Sequence, residues 1–137
     1  MLNSTASLLL VARPSRMREG LQALLRTIPD IKIVGQADSE SQALTLISQQ
    51  QPALVLLDSS LVLKEILPVF VLVKSKYPRT RCIVLVENLQ QQSAAREAGA
   101  DASIITGFSV EVLHATIDQV LMSINNSSKS EDEVQHG

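Results

Sequence analysis

The chain has 137 residues, of which 45% are hydrophobic and 19% charged, with a net charge of -2 and an isoelectric point near 5.6. That length supports one core of ordinary globular composition, and with one Tyr, two Phe and no Trp the core must be aliphatic. The same figures exclude an aromatic platform for stacking bases and, with no stretch dense in Lys or Arg, a nucleic-acid footprint on this chain alone.

The opening residues M-L-N-S-T-A-S-L-L-L-V-A-R have no basic n-region, and their apolar run is too short for a signal peptide or a membrane span. A cytoplasmic protein with no membrane association is the expectation. Ser7 to Ala12 reads as a short apolar strand, and Met17, Leu21, Leu24, Leu25 and Ile28 then recur at the spacing of a helix face. Ile31 to Ala37 is a second strand. Ser39, with Gln42 three residues on, makes a capping box at the head of a helix reaching about Gln50. Pro52 to Asp58 is a continuous apolar run, the pattern of a strand covered on both faces of a parallel sheet. A helix is predicted between Lys64 and Lys76 and a fourth strand over Arg81 to Val86. Ala94, Ala95 and Ala98, with Gly99 as C-terminal cap, mark a short fourth helix, and Ala102 to Thr106 a fifth strand. Ser109 caps a last helix with Leu113, Ile117, Leu121 and Ile124 on one face. From Asn125 the chain is polar and reads as a disordered tail or linker.

Five strand-helix units in succession argue for a doubly wound α/β sandwich around a parallel sheet. Ligand chemistry in such a fold gathers at the carboxyl ends of the strands, and Asp58 stands there after strand three. Ser59 and Ser60 follow it, but a hydrolase would need a histidine, and His114 and His136 fall in the last helix and the tail. A flavin-binding protein would need a phosphate cradle rich in Ser, Thr and Gly after strand one, where this chain offers A-R-P-S-R. Cys82, the single cysteine, lies inside R-C-I-V-L-V and reads as a buried small hydrophobe in a reducing compartment. Gly20, inside the first helix, is given no role. No enzymatic activity is expected.

Four segments together resemble the receiver domain of bacterial two-component response regulators, the CheY-like group. They are M-R-E-G-L-Q-A-L-L from Met17, I-K-I-V-G-Q-A-D-S from Ile31, P-A-L-V-L-L-D from Pro52, and G-A-D-A-S-I-I-T-G-F-S-V-E-V-L from Gly99. The similarity is to the subfamily usually joined to a LuxR-type helix-turn-helix output domain, and it covers about Ser7 to Ile124. It implies a flavodoxin-like (β/α)5 receiver fold with strand order 2-1-3-4-5, in a domain spanning residues 1–125 with a polar tail over 126–137. It also implies a histidine kinase or another signalling protein as partner, a homodimer, and control of transcription through an output domain outside these residues.

A working receiver holds Mg²⁺ with an acidic pair after strand one and accepts phosphoryl on an Asp after strand three. It also uses a hydroxyl after strand four, an aromatic switch residue and a Lys in or after strand five. Asp58 matches the phosphoacceptor position. The acidic pair falls on Ala12 and Arg13, the hydroxyl on Val86, the aromatic on Ser103 and the Lys on Thr106. Ala12 supplies no ligand and Arg13 sets a cation in the metal's place, so a degenerate site without metal or other cofactor is expected. Arg13 would either pair bidentately with Asp58 or extend to solvent. Two functions follow. In the first the domain is an interaction and dimerisation module that regulates an output without Mg²⁺-dependent phosphorylation. In the alternative a histidine kinase phosphorylates Asp58, and Mg²⁺ is then required.

The same register makes Leu61 to Lys74 contain helix three, although intrinsic preference alone would make Val69 to Val73 a strand. Leu67, Val69, Phe70 and Val73 would face the core, and Val71 and Leu72 the solvent. With Val62 and Leu63 they form a candidate partner or self-association surface.

Overall fold

The computed structural model of the chain describes residues 5–58 and 63–122. Five strands form one parallel sheet in the order β2-β1-β3-β4-β5, namely β1 (Ala6–Val11), β2 (Ile31–Ala37), β3 (Leu54–Leu57), β4 (Arg81–Val86) and β5 (Ala102–Ile105). Between and after them run α1 (Arg16–Arg26), α2 (Glu40–Gln50), α3 (Leu63–Lys76), α4 (Leu89–Ala98) and α5 (110–122). This is the doubly wound architecture and the strand order that the sequence led us to expect.

The period of two along each strand divides the core into two layers. Leu9, Val11, Val55, Leu57, Val84 and Val86 pack against Ala43 and Ile47 of α2, Val69, Phe70 and Val73 of α3, and Ala95 of α4. Their neighbours Leu8, Leu10, Leu54, Leu56, Ile83, Leu85 and Ile104 pack against Leu21 and Leu25 of α1 and Leu113, Ile117 and Val120 of α5. Helices thus cover both faces, which is why β3 is buried at every position, β4 at all but its first and β1 at its last four. The edge strand β2 is mostly half-buried, with only Ala37 fully covered.

Local chemistry sets the helix ends. The side chains of Ser15, Ser39 and Asn88 accept from the amides of Arg18, Gln42 and Gln91 and start α1, α2 and α4. At α2 the return bond of the predicted box falls one residue earlier, because Gln42 Oε1 accepts from the amide of Asp38 at 2.7 Å rather than from Ser39. Gly99 ends α4 at φ 109°, where a side chain would be strained, while α2 ends on Gln51 in the left-handed region at φ 44°.

Helix α3 forms despite its β-branched run, since only a helix brings Val69, Phe70 and Val73 onto the sheet together. Three expected burials differ. Leu67 is 39% exposed rather than in the core, and Leu72 is half-buried against the α2–α4 layer rather than in solvent. Met17 is 53% exposed, because the packed stripe of α1 begins one turn later at Leu21. Ile124 and the tail lie outside the described residues. Among the described residues no helix is long and apolar enough to cross a membrane.

Candidate functional site

The carboxyl edge of the sheet gathers most of the residues singled out in the sequence. Asp58 follows β3, and its amide donates to the Val11 carbonyl at 2.9 Å, which fixes it beside the end of β1. Ala12, the next residue of that strand, is fully buried, and its amide donates to the Ala37 carbonyl at 2.9 Å. Val86 ends β4 within the α2–α4 layer, and its carbonyl accepts from the Thr106 amide at 2.8 Å. Ala12, Asp58, Val86 and Thr106 therefore stand at the ends of successive strands. Ser103 sits further back, paired with Val84 inside β5 and half-buried.

Asp58 is the chemically unusual member. It is 1% exposed, and among the described residues neither carboxylate oxygen has a hydrogen-bond partner. Burying an unpartnered carboxylate is costly, which marks the position as more than packing. The hydrogen-bonded pair with Arg13, one of the two arrangements expected, does not form; Arg13 lies past the end of β1 and is exposed. Ser59 and Ser60 lie outside the described residues. Among the described residues no group of three or more His, Cys, Asp or Glu is arranged to hold a metal.

Sequence reasoning missed Arg18. From the first turn of α1 its Nη1 donates to the Ala12 carbonyl at 3.1 Å and pairs with the carboxylate of Asp38, just past β2. A signal was available: a cation in a helix's first turn opposes the helix dipole and asks for an external acceptor. Arg18 is thus held on the backbone of one of the emptied acidic positions.

No protein-family model and no curated protein matches the chain. Solved structures do. A two-component response regulator of the LuxR family from an Aurantimonas species superposes with a TM-score of 0.77 at 22% identity, over 88% of this chain and 87% of that one. The fold is that of a response-regulator receiver domain. A DNA-binding response regulator of the LuxR family from Staphylococcus aureus gives a TM-score of 0.71 at 22% identity, over 85% of this chain and 98% of that one. A chain from the complex of the CheA3 P1 domain with CheY6 of R. sphaeroides gives 0.72 at 24% identity, over 87% and 98%.

Within the receiver fold the other candidates resolve as follows. His114 lies on α5 with Nε2 3.3 Å from Asp118 one turn on, and His136 is outside the described residues. Cys82 is buried, and desolvation, reinforced by the charge of Asp101 and partly opposed by Lys74, pushes its thiol up to about 12. It is packing, as expected. A side chain at Gly20 would meet nothing within 4 Å, so no close approach explains that glycine. Of the proposed α3 surface, Val71 is 67% exposed and has Leu67 one turn before it, whereas Leu72 belongs to the core layer. Val62 and the Leu63 side chain lie outside what is described.

Proposed function

We propose that this receiver domain is a signalling and protein-interaction module of a regulator, acting in the cytoplasm and without Mg²⁺-dependent phosphorylation. The observation that carries this reading is the setting of Asp58. A buried carboxylate stands alone at the phosphoacceptor position, and the two positions that would share a divalent ion hold the methyl of Ala12 and the guanidinium of Arg13. Replacing two carboxylates by one methyl and one cation shifts the local formal charge by three units in the positive direction. At an effective dielectric near 20 that opposes a divalent ion by several kcal/mol. Val86 in place of a hydroxyl and Thr106 in place of a Lys remove two further groups that would handle a phosphoryl oxygen.

Control of transcription through an attached output domain, and homodimerisation, are part of the same proposal. Control of transcription is supported by the likeness to LuxR-family regulators, one of them described as DNA-binding, and homodimerisation by the exposed Val71 and Leu67 on one turn of α3. A signalling protein as partner is supported by the likeness to a chain from a complex of a CheA domain with CheY6.

Titrating millimolar Mg²⁺ with beryllofluoride, a phosphate mimic, while recording amide spectra tests the reading. Resonances of β3 to β5 are expected to stay in place. Saturable shifts that Asp58→Asn removes would instead establish the second reading, a live phosphoacceptor. One observation favours that alternative: neither oxygen of Asp58 is hydrogen-bonded to a described residue.

A further inference from the structure

At the amino edge of the sheet, opposite the end that carries Asp58, a partly enclosed cavity of about 220 Å³ opens between α3, the start of β4 and the turn from α4 into β5. Its inner wall is apolar: Phe70 and Val73 of α3 and Cys82 of β4 are all buried. Three charged side chains join the lining, namely Lys74, Arg81 and Asp101. Two of them are engaged with each other and with the backbone. Asp101 accepts from the Cys82 amide at 2.7 Å and stands 3.5 Å from Nη1 of Arg81. Thr80, the hydroxyl of the lining, donates to the Pro52 carbonyl at 2.7 Å. The Lys74 ammonium, by contrast, makes no ion pair among the described residues. It leans toward the α4–β5 turn, where a Cβ at Gly99 would lie 3.0 Å from Lys74 Cε and 3.8 Å from its Nζ. Its charge, like that of Asp101, bears on the Cys82 thiol within the cavity. With Lys74 and Arg81 set against Asp101, an apolar floor meets a rim carrying an excess of positive charge.

We propose that this cavity binds a small organic monocarboxylate, its ring or short chain against Phe70, Val73 and Cys82 and its carboxylate on the Lys74 ammonium. Size and charge both select that class. An apolar cavity of about 150 Å³ is enough for benzene, so 220 Å³ admits one ring or a short chain together with its carboxyl group. A neutral apolar molecule would fill the floor but leave the ammonium without a counter-charge, and an inorganic anion would do the reverse. A dicarboxylate would bring its second charge onto the apolar floor or against Asp101, and either is unfavourable. The site goes beyond the proposed function and does not depend on it, since it shares no residue with the carboxyl edge of the sheet.

Amide spectra of the full chain, titrated separately with benzoate, hexanoate, acetate and benzyl alcohol, test the site. Benzoate or hexanoate is expected to give saturable shifts at Val73, Lys74, Cys82, Gly99 and Asp101. Acetate has the charge without the body and benzyl alcohol the body without the charge, so each should bind at least about tenfold more weakly. Lys74→Met removes the charge and keeps an unbranched side chain. It should weaken the bound carboxylate at least about tenfold while the urea midpoint stays in place, because Lys74 is exposed. The site is overturned if neither benzoate nor hexanoate gives saturable shifts at these amides, if acetate or benzyl alcohol binds as tightly, or if the folded Lys74→Met variant keeps the parent's affinity.

Discussion

At the scale of single residues, two buried groups carry opposite messages. Asp58 is a buried carboxyl group with no hydrogen bond to a described residue, so replacing it by an isosteric amide that cannot ionise removes a desolvation cost. Asp58→Asn is expected to raise stability by about 1–2 kcal/mol, measured as a higher urea midpoint at unchanged slope. A large loss would instead show the carboxylate to be a structural anchor. Cys82 is neutral at every physiological pH, since burial lifts its thiol from an ordinary 9.0 to about 12. The folded chain thus keeps a proton that the unfolded chain releases, and the stability this provides is complete below pH 9 and disappears between about pH 9 and 12. Across that window the group alone should lower stability by about 1.4 kcal/mol per pH unit. Cys82→Ala should flatten that part of the profile relative to the parent, and a thiol reagent at pH 8 should label the parent only after unfolding.

At the scale of elements, the helix ends hold the clearest test. Gln51 closes α2 at φ 44°, a conformation in which a side chain is disfavoured and glycine is not. Gln51→Gly is expected to stabilise the protein by about 1 kcal/mol in equilibrium unfolding, against the usual direction for a glycine substitution. Helix α3 shows the complementary conflict: Pro68 stands inside it and β-branched residues follow, yet it is a helix. Packing of Val69, Phe70 and Val73 outweighs local preference there, because a strand would put alternate residues on opposite faces and expose part of that set.

At the scale of the whole molecule, the proposed interaction role is tested at the exposed surface of α3. Val71, 67% exposed, and Leu67, 39% exposed, stand one turn apart on α3; Met17, Leu89, Ile105, Val112 and Met122 are the other exposed large apolar residues among those described. Homodimerisation should appear in light scattering as a mass near twice that of the 14.9 kDa chain. Val71→Lys with Leu67→Glu should shift the mass toward the monomer without lowering stability, since neither side chain is in the core. An unchanged mass would move the interface elsewhere. Leu72→Glu would be the wrong probe, because Leu72 packs against the α2–α4 layer and a buried charge there would unfold the domain.

The sequence by itself determined the order and type of every element but α3, because continuous apolar runs, helical spacing and capping residues such as Ser39, Gly99 and Ser109 are local signals that need no distant partner. It also placed Ala12, Asp58, Val86 and Thr106 at strand ends, since in a parallel sheet the end of the run is the end of the strand. Only the tertiary structure decided where the charges went. Arg13 and Arg18 are alike to any reading of residue type, and nothing in the spacing says which guanidinium lies over the sheet. That choice depends on where the carbonyl of Ala12 and the carboxylate of Asp38 come together, and it takes two strands and a helix packed in place to bring them there. The depth of Leu72 and the exposure of Leu67 were hidden for the same reason: a few tens of degrees in the rotation of α3, set by how Phe70 and Val73 pack on the sheet, separate a core residue from a surface one.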